Sequence, residues 1–102
     1  MLEAIKGLFG LDKKDYATLV KQGAVILDVR SKNEFAGGHI KNSINIPLDQ
    51  LEKNLSKFSK DKTIITCCAS GMRSASAKSI LQNNGYKNVQ NGGGWTSLNN
   101  KI

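Results

Sequence analysis

Two cysteines stand side by side at positions 67 and 68, and the segment Cys68-Ala69-Ser70-Gly71-Met72-Arg73-Ser74 carries the residue types best suited to chemistry. Adjacent Cα atoms lie about 3.8 Å apart, short of the roughly 4.4–6.8 Å that an ordinary disulfide spans, so the pair does not staple the chain. Small residues after Cys68 let the backbone curl, and successive N–H groups in such a curl converge into an anion-binding nest. A helix expected to begin near Arg73 adds the positive end of its dipole, and Arg73 adds a formal charge. A cysteine at the mouth of that nest has its thiolate stabilised, its pKa lowered and its nucleophilicity raised near neutral pH. The competing reading is a cysteine that merely closes a buried strand, since cysteine is often found in cores. Neighbouring residues on a strand point to opposite faces, so the two thiols occupy different surroundings. Cys67 fits the buried reading and Cys68 the activated one. Cys67, Cys68 and His39 do not have the spacing of a zinc site.

The elements that must position this segment are legible in the pattern of apolar residues. Ala24-Val25-Ile26-Leu27-Asp28-Val29 and Thr63-Ile64-Ile65-Thr66-Cys67 are nearly continuous apolar or β-branched runs, as expected of strands buried on both faces of a parallel sheet. Ile44-Asn45-Ile46, ended by Pro47, predicts a short strand, and Lys87-Asn88-Val89-Gln90 a last one. Helices are predicted from Asp12 or Lys13 to Gln22, from Leu48 to about Lys57, from Arg73 to Asn84, and briefly from Trp95 to Leu98. Gly92-Gly93-Gly94 is expected to turn the chain into the last of these. Residues 1–11 form a weakly amphipathic arm, with Leu2, Ile5, Leu8 and Phe9 at helical spacing, expected to dock on the core. Strands alternating with helices predict an α/β domain whose small, mostly parallel central sheet is flanked by helices. Sites in such sheets form at the C-terminal ends of strands, which is where Cys68 falls.

Composition sets the outer bounds. A length of 102 residues suits one domain, and 39% hydrophobic residues suit a modest core. No apolar run approaches the roughly 20 residues needed to span a bilayer, and the opening residues do not read as a secretion signal. A reducing cytoplasm is the expected compartment, where free cysteines persist, and no membrane association is expected. The net charge of +7 raises nucleic acid as a partner, but only Arg30 and Arg73 of the 15 basic residues are arginines. The lysines are scattered and the aromatics are not interleaved with them, so a basic surface attractive to small anions is the better reading.

Taken in order, Asp28-Val29-Arg30, Glu34-Phe35, Gly38-His39-Ile40, Ser43-Ile44-Asn45-Ile46-Pro47, the segment from Cys68 to Ser74, and Gly92-Gly93-Gly94-Trp95 resemble a single-domain rhodanese. The resemblance runs from about residue 14 to residue 98. It implies a sulfurtransferase: Cys68 takes a sulfane sulfur as a persulfide and passes it to a nucleophilic acceptor. It also implies that Ala69, Ser70, Gly71, Met72 and Arg73 form the substrate-binding loop whose amides cradle that sulfur. The expected donor is a small anion such as thiosulfate, a polysulfide or a persulfide, and the acceptor is cyanide or a thiol, including a protein thiol. No cofactor or metal is required, and a monomer is expected. Phosphatases of the same fold carry a longer loop between cysteine and arginine, whereas here only Ala69, Ser70, Gly71 and Met72 intervene. A second reading is a sulfur carrier or interaction module without turnover of its own.

The resemblance also places the remaining polar residues. Asp28 and Arg30 are expected to fix loops by charge pairing, with Arg30 the more open to substrate. His39 belongs to a structural Gly-His-Ile element rather than acting as a base. Trp95 packs beside the loop or anchors the core. Two features depart from the family's pattern: Cys67 stands where relatives more often carry an aliphatic or aromatic residue, as core filler or resolving thiol, and the first edge strand is expected to be short, near Gly10-Leu11, or missing.

Overall fold

Apolar runs without alternation need cover on both sides, and both central strands receive it. The computed structural model describes residues 15–102. The expected arm over residues 1–11, the edge strand near Gly10-Leu11 and the first turn of the predicted 12–22 helix lie outside the described residues. Within them the order is α1 (Tyr16–Lys21), β1 (Val25–Asp28), α2 (Lys32–Ala36), β2 (Ile44–Asn45), two 3₁₀ segments (Leu48–Gln50 and Glu52–Lys57), β3 (Ile64–Cys68), α3 (Met72–Asn83), β4 (Val89–Gly94) and α4 (Trp95–Asn99). All four strands are parallel, in the order β2-β1-β3-β4. The chain leaves β1 to one side for β2 and returns on the other side for β3. The C-terminal ends of β1 and β3 therefore flank a topological switch point, where open parallel sheets form their crevices.

Two apolar layers sandwich the sheet. On one face Leu27, Val29, Ile64 and Cys68 pack with Leu51 and Phe58 of the 3₁₀ region and with Ala77 and Leu81 of α3. On the other, Ile26, Ile65 and Cys67 pack with Ile40 and Leu98, joined by Tyr16, Leu19 and Val20 of α1 and by Trp95. The period-2 alternation of side chains along a strand thus sends the two cysteines into separate cores.

Two expectations are corrected. Leu48 to Lys57 is not one α-helix but two 3₁₀ turns, because the apolar residues come in pairs three apart. The amides of Leu51 and Phe58 bond to the carbonyls of Leu48 and Leu55, at 3.2 and 3.0 Å. Three residues per turn stacks Leu48 over Leu51 and Leu55 over Phe58, and the buried Leu51 pins the joint. The hydroxyl of Tyr86 lies 2.6 Å from the Leu55 carbonyl oxygen and 2.7 Å from that of Phe58, so its hydrogen is shared where the second turn ends.

The glycine run, expected as a turn, is the second half of β4. Its glycines serve close approach. A Cβ on Gly92 would lie 2.8 Å from Ile65 Cγ2, 2.8 Å from Leu98 Cδ2 and 2.9 Å from the Thr66 carbonyl oxygen. The register also shifts here: Thr66 pairs with Asn91 but Cys68 pairs with Gly94, which leaves one extra residue in β4 as a bulge beside Cys68. Replacing Gly92 by alanine is therefore expected to destabilise the fold by about 1–3 kcal/mol through overpacking. A lower urea midpoint with an unchanged slope is the expected readout.

Candidate active site

Cys68 is the last residue of β3, and the chain must then turn within Ala69, Ser70 and Gly71 to enter α3. Gly71 sits at the N-cap of that helix with φ 109°, a left-handed conformation that only glycine adopts without strain. The turn folds the backbone back over the sulfur. The Gly71 N–H donates to Cys68 Sγ at 2.9 Å and the Ser74 N–H at 3.4 Å. The Ser74 amide belongs to the first turn of α3, whose N–H groups have no partner within the helix. Sulfur replaces the missing acceptor, and the helix dipole acts in the same sense.

The Ser74 hydroxyl lies 3.5 Å from Sγ, 3.0 Å from the Gly71 carbonyl oxygen and 2.6 Å from Asn91 Oδ1. Burial pushes the Cys68 thiol up, but hydrogen bonding to the Ser74 hydroxyl and to the amides of Ser74, Gly71 and Ser70 outweighs it, and the balance lies below the ordinary thiol value. Cys67, one residue back on the other face, goes the opposite way. Burial first, then the Asp28 carboxylate, push its thiol up to about 12 despite the opposing pull of Arg30. The neighbours in sequence thus lie in separate cores, as strand alternation predicts, and their thiols shift in opposite directions.

Both arginines near the loop are paired with carboxylates. Asp28 is fully buried and holds Arg30 through its Nε and Nη2, at 3.0 and 2.8 Å, and through its backbone N–H at 2.9 Å. Arg30 Nη2 also donates to the Gly38 carbonyl at 2.6 Å, and its guanidinium lies 4.6 Å from the centroid of the Trp95 ring. Asn45 ties the same corner by donating to the carbonyls of Asp28 and Arg30. This pair fixes the ends of β1 and β2, as expected. His39 is exposed, stacks on Phe35 with ring centroids 3.7 Å apart, and bonds the Phe35 carbonyl through Nδ1 at 2.7 Å. Its ring is a surface brace for α2.

Arg73 is in the loop's reach but not free. Its guanidinium grips both oxygens of Glu34 on α2, at 2.8 and 3.0 Å. Glu34 also completes a capping box with Ser31. Several of the lysines lie far from the loop. Lys21 precedes β1, Lys60 and Lys62 precede β3, and Lys87 precedes β4, so these charges sit at the opposite edge of the parallel sheet. A strand of five residues is about 16 Å long, well beyond the roughly 8 Å over which physiological salt screens a charge. The donors that reach Cys68 Sγ directly are the amides of Gly71 and Ser74 at the helix start. A groove of about 310 Å³ lined by Val29, Ser31, Pro47, Leu48, Asp49 and Arg73 opens on the α3 face, where Cys68 also packs with Val29.

Of the loop residues expected to bind substrate, Gly71 contacts the sulfur through its amide, Ala69 and Ser70 are exposed above it, and Met72 is 79% exposed at the rim. Arg73 acts on Glu34. The sequence reading missed Ser74 and Asn91 as contacts around the nucleophile. Ser74 could have been found from its place in the first helical turn. Asn91 had no local signal, because only the bulge brings it under the loop.

A family description, the rhodanese-like domain, matches residues 12–101. Among curated proteins, the chain is 36% identical over 70 residues to the thiosulfate sulfurtransferase PspE of Escherichia coli, covering 67% of each chain. It is 36% identical over 66 residues to the putative sulfur carrier protein YrkF of Bacillus subtilis, covering 65% of this chain and 36% of that one. The human single-domain sulfurtransferase TSTD1 superposes with a TM-score of 0.76 at 26% identity, covering 85% of this chain and 91% of that one. The chain spans 64% to 67% of the length of the first curated relatives it matches. No helix among the described residues is long and apolar enough to cross a membrane.

The Glu34–Arg73 pair makes a pH-dependent contribution whose sign is set. Arg73 first, then the Ser31 amide, hold the Glu34 carboxyl down at about 2, below its ordinary 4.5. A carboxylate depressed on folding stabilises the fold above its unfolded pKa and loses that contribution as pH falls through the folded value. The melting temperature of Glu34→Gln is therefore expected to lie below that of the parent by a constant margin above about pH 5. That margin should close between pH 4.5 and about 2.

Proposed function

The chain belongs to the rhodanese-like domain family, and on that premise we propose that it is a sulfurtransferase that turns over through a persulfide on Cys68. The observation that carries this reading is the pair of amides, from Gly71 and Ser74, directed at one cysteine sulfur at the mouth of a parallel sheet. In the first step the Cys68 thiolate attacks the outer sulfur of thiosulfate. The S–S bond of the donor breaks, its electron pair leaves with sulfite, and Cys68 carries a terminal persulfide anion. In the second step cyanide or a thiolate attacks that terminal sulfur, and the Cys68 thiolate leaves with the S–S bonding pair. Polysulfides and protein persulfides fit the same scheme as donors.

Each step develops negative charge on a sulfur at the loop: on the terminal persulfide sulfur in the first and on Cys68 Sγ in the second. Dipoles fixed before reaction stabilise that charge without reorganising, and this is the contribution a preorganised loop makes. A loop with only four residues between Cys68 and Arg73 suits one sulfur better than a tetrahedral oxyanion. The groove between Pro47, Leu48 and Arg73 is the acceptor's approach in this reading. Compartment and partner follow the same chemistry: a reducing cytoplasm keeps Cys68 free, and a protein thiol is an acceptor the exposed rim can admit.

Incubation with thiosulfate is expected to add the mass of one sulfur atom to the protein and none to Cys68→Ser. Catalytic production of thiocyanate from thiosulfate and cyanide then separates an enzyme from a carrier. Loading without turnover would assign the carrier role, and no loading would reject the reading.

A further inference from the structure

Asn91 lies in β4 opposite Thr66, immediately before the bulge. Its Oδ1 is 2.9 Å from the Gly93 N–H, which can only donate, so the amide oxygen and not the nitrogen faces that side. The same oxygen lies 2.6 Å from Ser74 Oγ. Two oxygens at that separation share a hydrogen, and Asn91 Oδ1 has none, so the Ser74 hydroxyl donates it. Asn91 Nδ2 meanwhile points at the Gly71 carbonyl, 3.4 Å away, and the Tyr16 hydroxyl donates to the Asn91 carbonyl at 3.2 Å. The side chain is held from three sides.

A serine hydroxyl has one hydrogen. With that hydrogen given to Asn91, the nearer of its two oxygen acceptors (the Gly71 carbonyl oxygen lies at 3.0 Å), Ser74 Oγ presents only lone pairs to Cys68 Sγ, 3.5 Å away. That arrangement suits a protonated thiol donating to Ser74 and repels a thiolate. We propose that Asn91 is a positioning residue that competes with Cys68 for the Ser74 hydrogen and thereby sets how readily the thiol ionises. On ionisation the S–H proton passes to solvent or to a base. The Ser74 O–H rotates, its hydrogen bond to Asn91 Oδ1 breaks, and a new one to the sulfur anion forms. The Gly93 N–H remains on Oδ1 throughout, so the loop keeps its anchor while the hydroxyl switches.

The charged and titratable groups around this trio come from every packed element. β1 contributes Asp28, which is held by Arg30. α1 contributes Tyr16, whose hydroxyl sits on the Asn91 main-chain carbonyl, β3 contributes Cys67 on the other face, α3 contributes Arg73, held by Glu34, and Lys78, and β4 contributes none. None of them hydrogen-bonds the Ser74 hydroxyl or the Asn91 side-chain amide among the described residues. A neutral substitution at Asn91 therefore changes the hydrogen-bond competition without changing a charge.

The proposal rests on Cys68 being the nucleophile, but its test does not use sulfur transfer. The full chain carrying Cys67→Ala is alkylated with iodoacetamide across pH, and the midpoint of the Cys68 rate is read. Asn91→Ala and Asn91→Ser are compared with that parent. The serine variant keeps a short oxygen for the Gly93 N–H but withdraws it from Ser74, so it carries the test if the alanine variant unfolds. Both are expected to move the midpoint down by about half a unit to one unit. In a Ser74→Ala background the same substitutions are expected to move nothing. An unchanged or raised midpoint in Asn91→Ser, or an equal shift with Ser74 already removed, overturns the proposal. The predicted shifts in a protein that takes up no sulfur from thiosulfate would support it while overturning the functional reading.

Discussion

The rest of this structure depends on one sulfur atom held where a buried strand ends and a helix begins. Backbone N–H groups at a helix start must find acceptors, and the Cys68 thiolate needs donors to offset its burial. Bringing the two together answers both needs at once. The arrangement demands a strand covered on both faces, so that Cys68 is shielded, and a left-handed residue at Gly71, so that the chain can fold back over it. It also demands the unusual closeness of β4. Gly94 pairs with Cys68, and a Cβ there would come within 2.9 Å of the Ala69 carbonyl oxygen. The sheet, the loop and the glycine run are thus parts of a single geometric requirement.

Charge plays a different role from the one the composition suggests. A net charge of +7 reads at first as a field for drawing anions. The structure spends its two arginines on pairs, Arg30 with the buried Asp28 and Arg73 with Glu34, and places several lysines at the far edge. A buried pair of this kind adds little net stability but is costly to break, because the survivor is left uncompensated. Its use here is to hold the ends of β1 and β2 and the Gly38 turn against Trp95. What remains for the ligand is the neutral part of the site, amide dipoles and a hydroxyl. That suits a transferred sulfur whose charge is spread over one polarisable atom.

Much of this was legible in the residues and some was not. The strands containing Val25 to Asp28 and Ile64 to Cys68 announced themselves, because burial on two faces removes alternation and leaves an apolar run. The opposite fates of Cys67 and Cys68 followed from strand geometry alone. The 3₁₀ turns after Pro47 were mistaken for an α-helix because spacings of three and four serve either. The glycines of β4 were mistaken for a turn because composition reports flexibility, whereas their purpose is to admit Ile65 and Leu98, residues distant or hidden in sequence. Arg73 was expected to face substrate, and its partner Glu34 lies 39 residues earlier. Asn91 is the extreme case: a polar residue in a glycine-rich stretch, brought under the loop by a bulge no local pattern announces.

The position of the transferred sulfur is what distinguishes Cys68 from Cys67 as its carrier. A crystal structure of the protein after loading with thiosulfate decides it most directly. The account predicts an extra sulfur bonded to Cys68 Sγ, lying within hydrogen-bond reach of the loop amides between Ala69 and Ser74, with Cys67 unmodified. A sulfur on Cys67, or one on Cys68 that points to solvent without an amide contact, would contradict it.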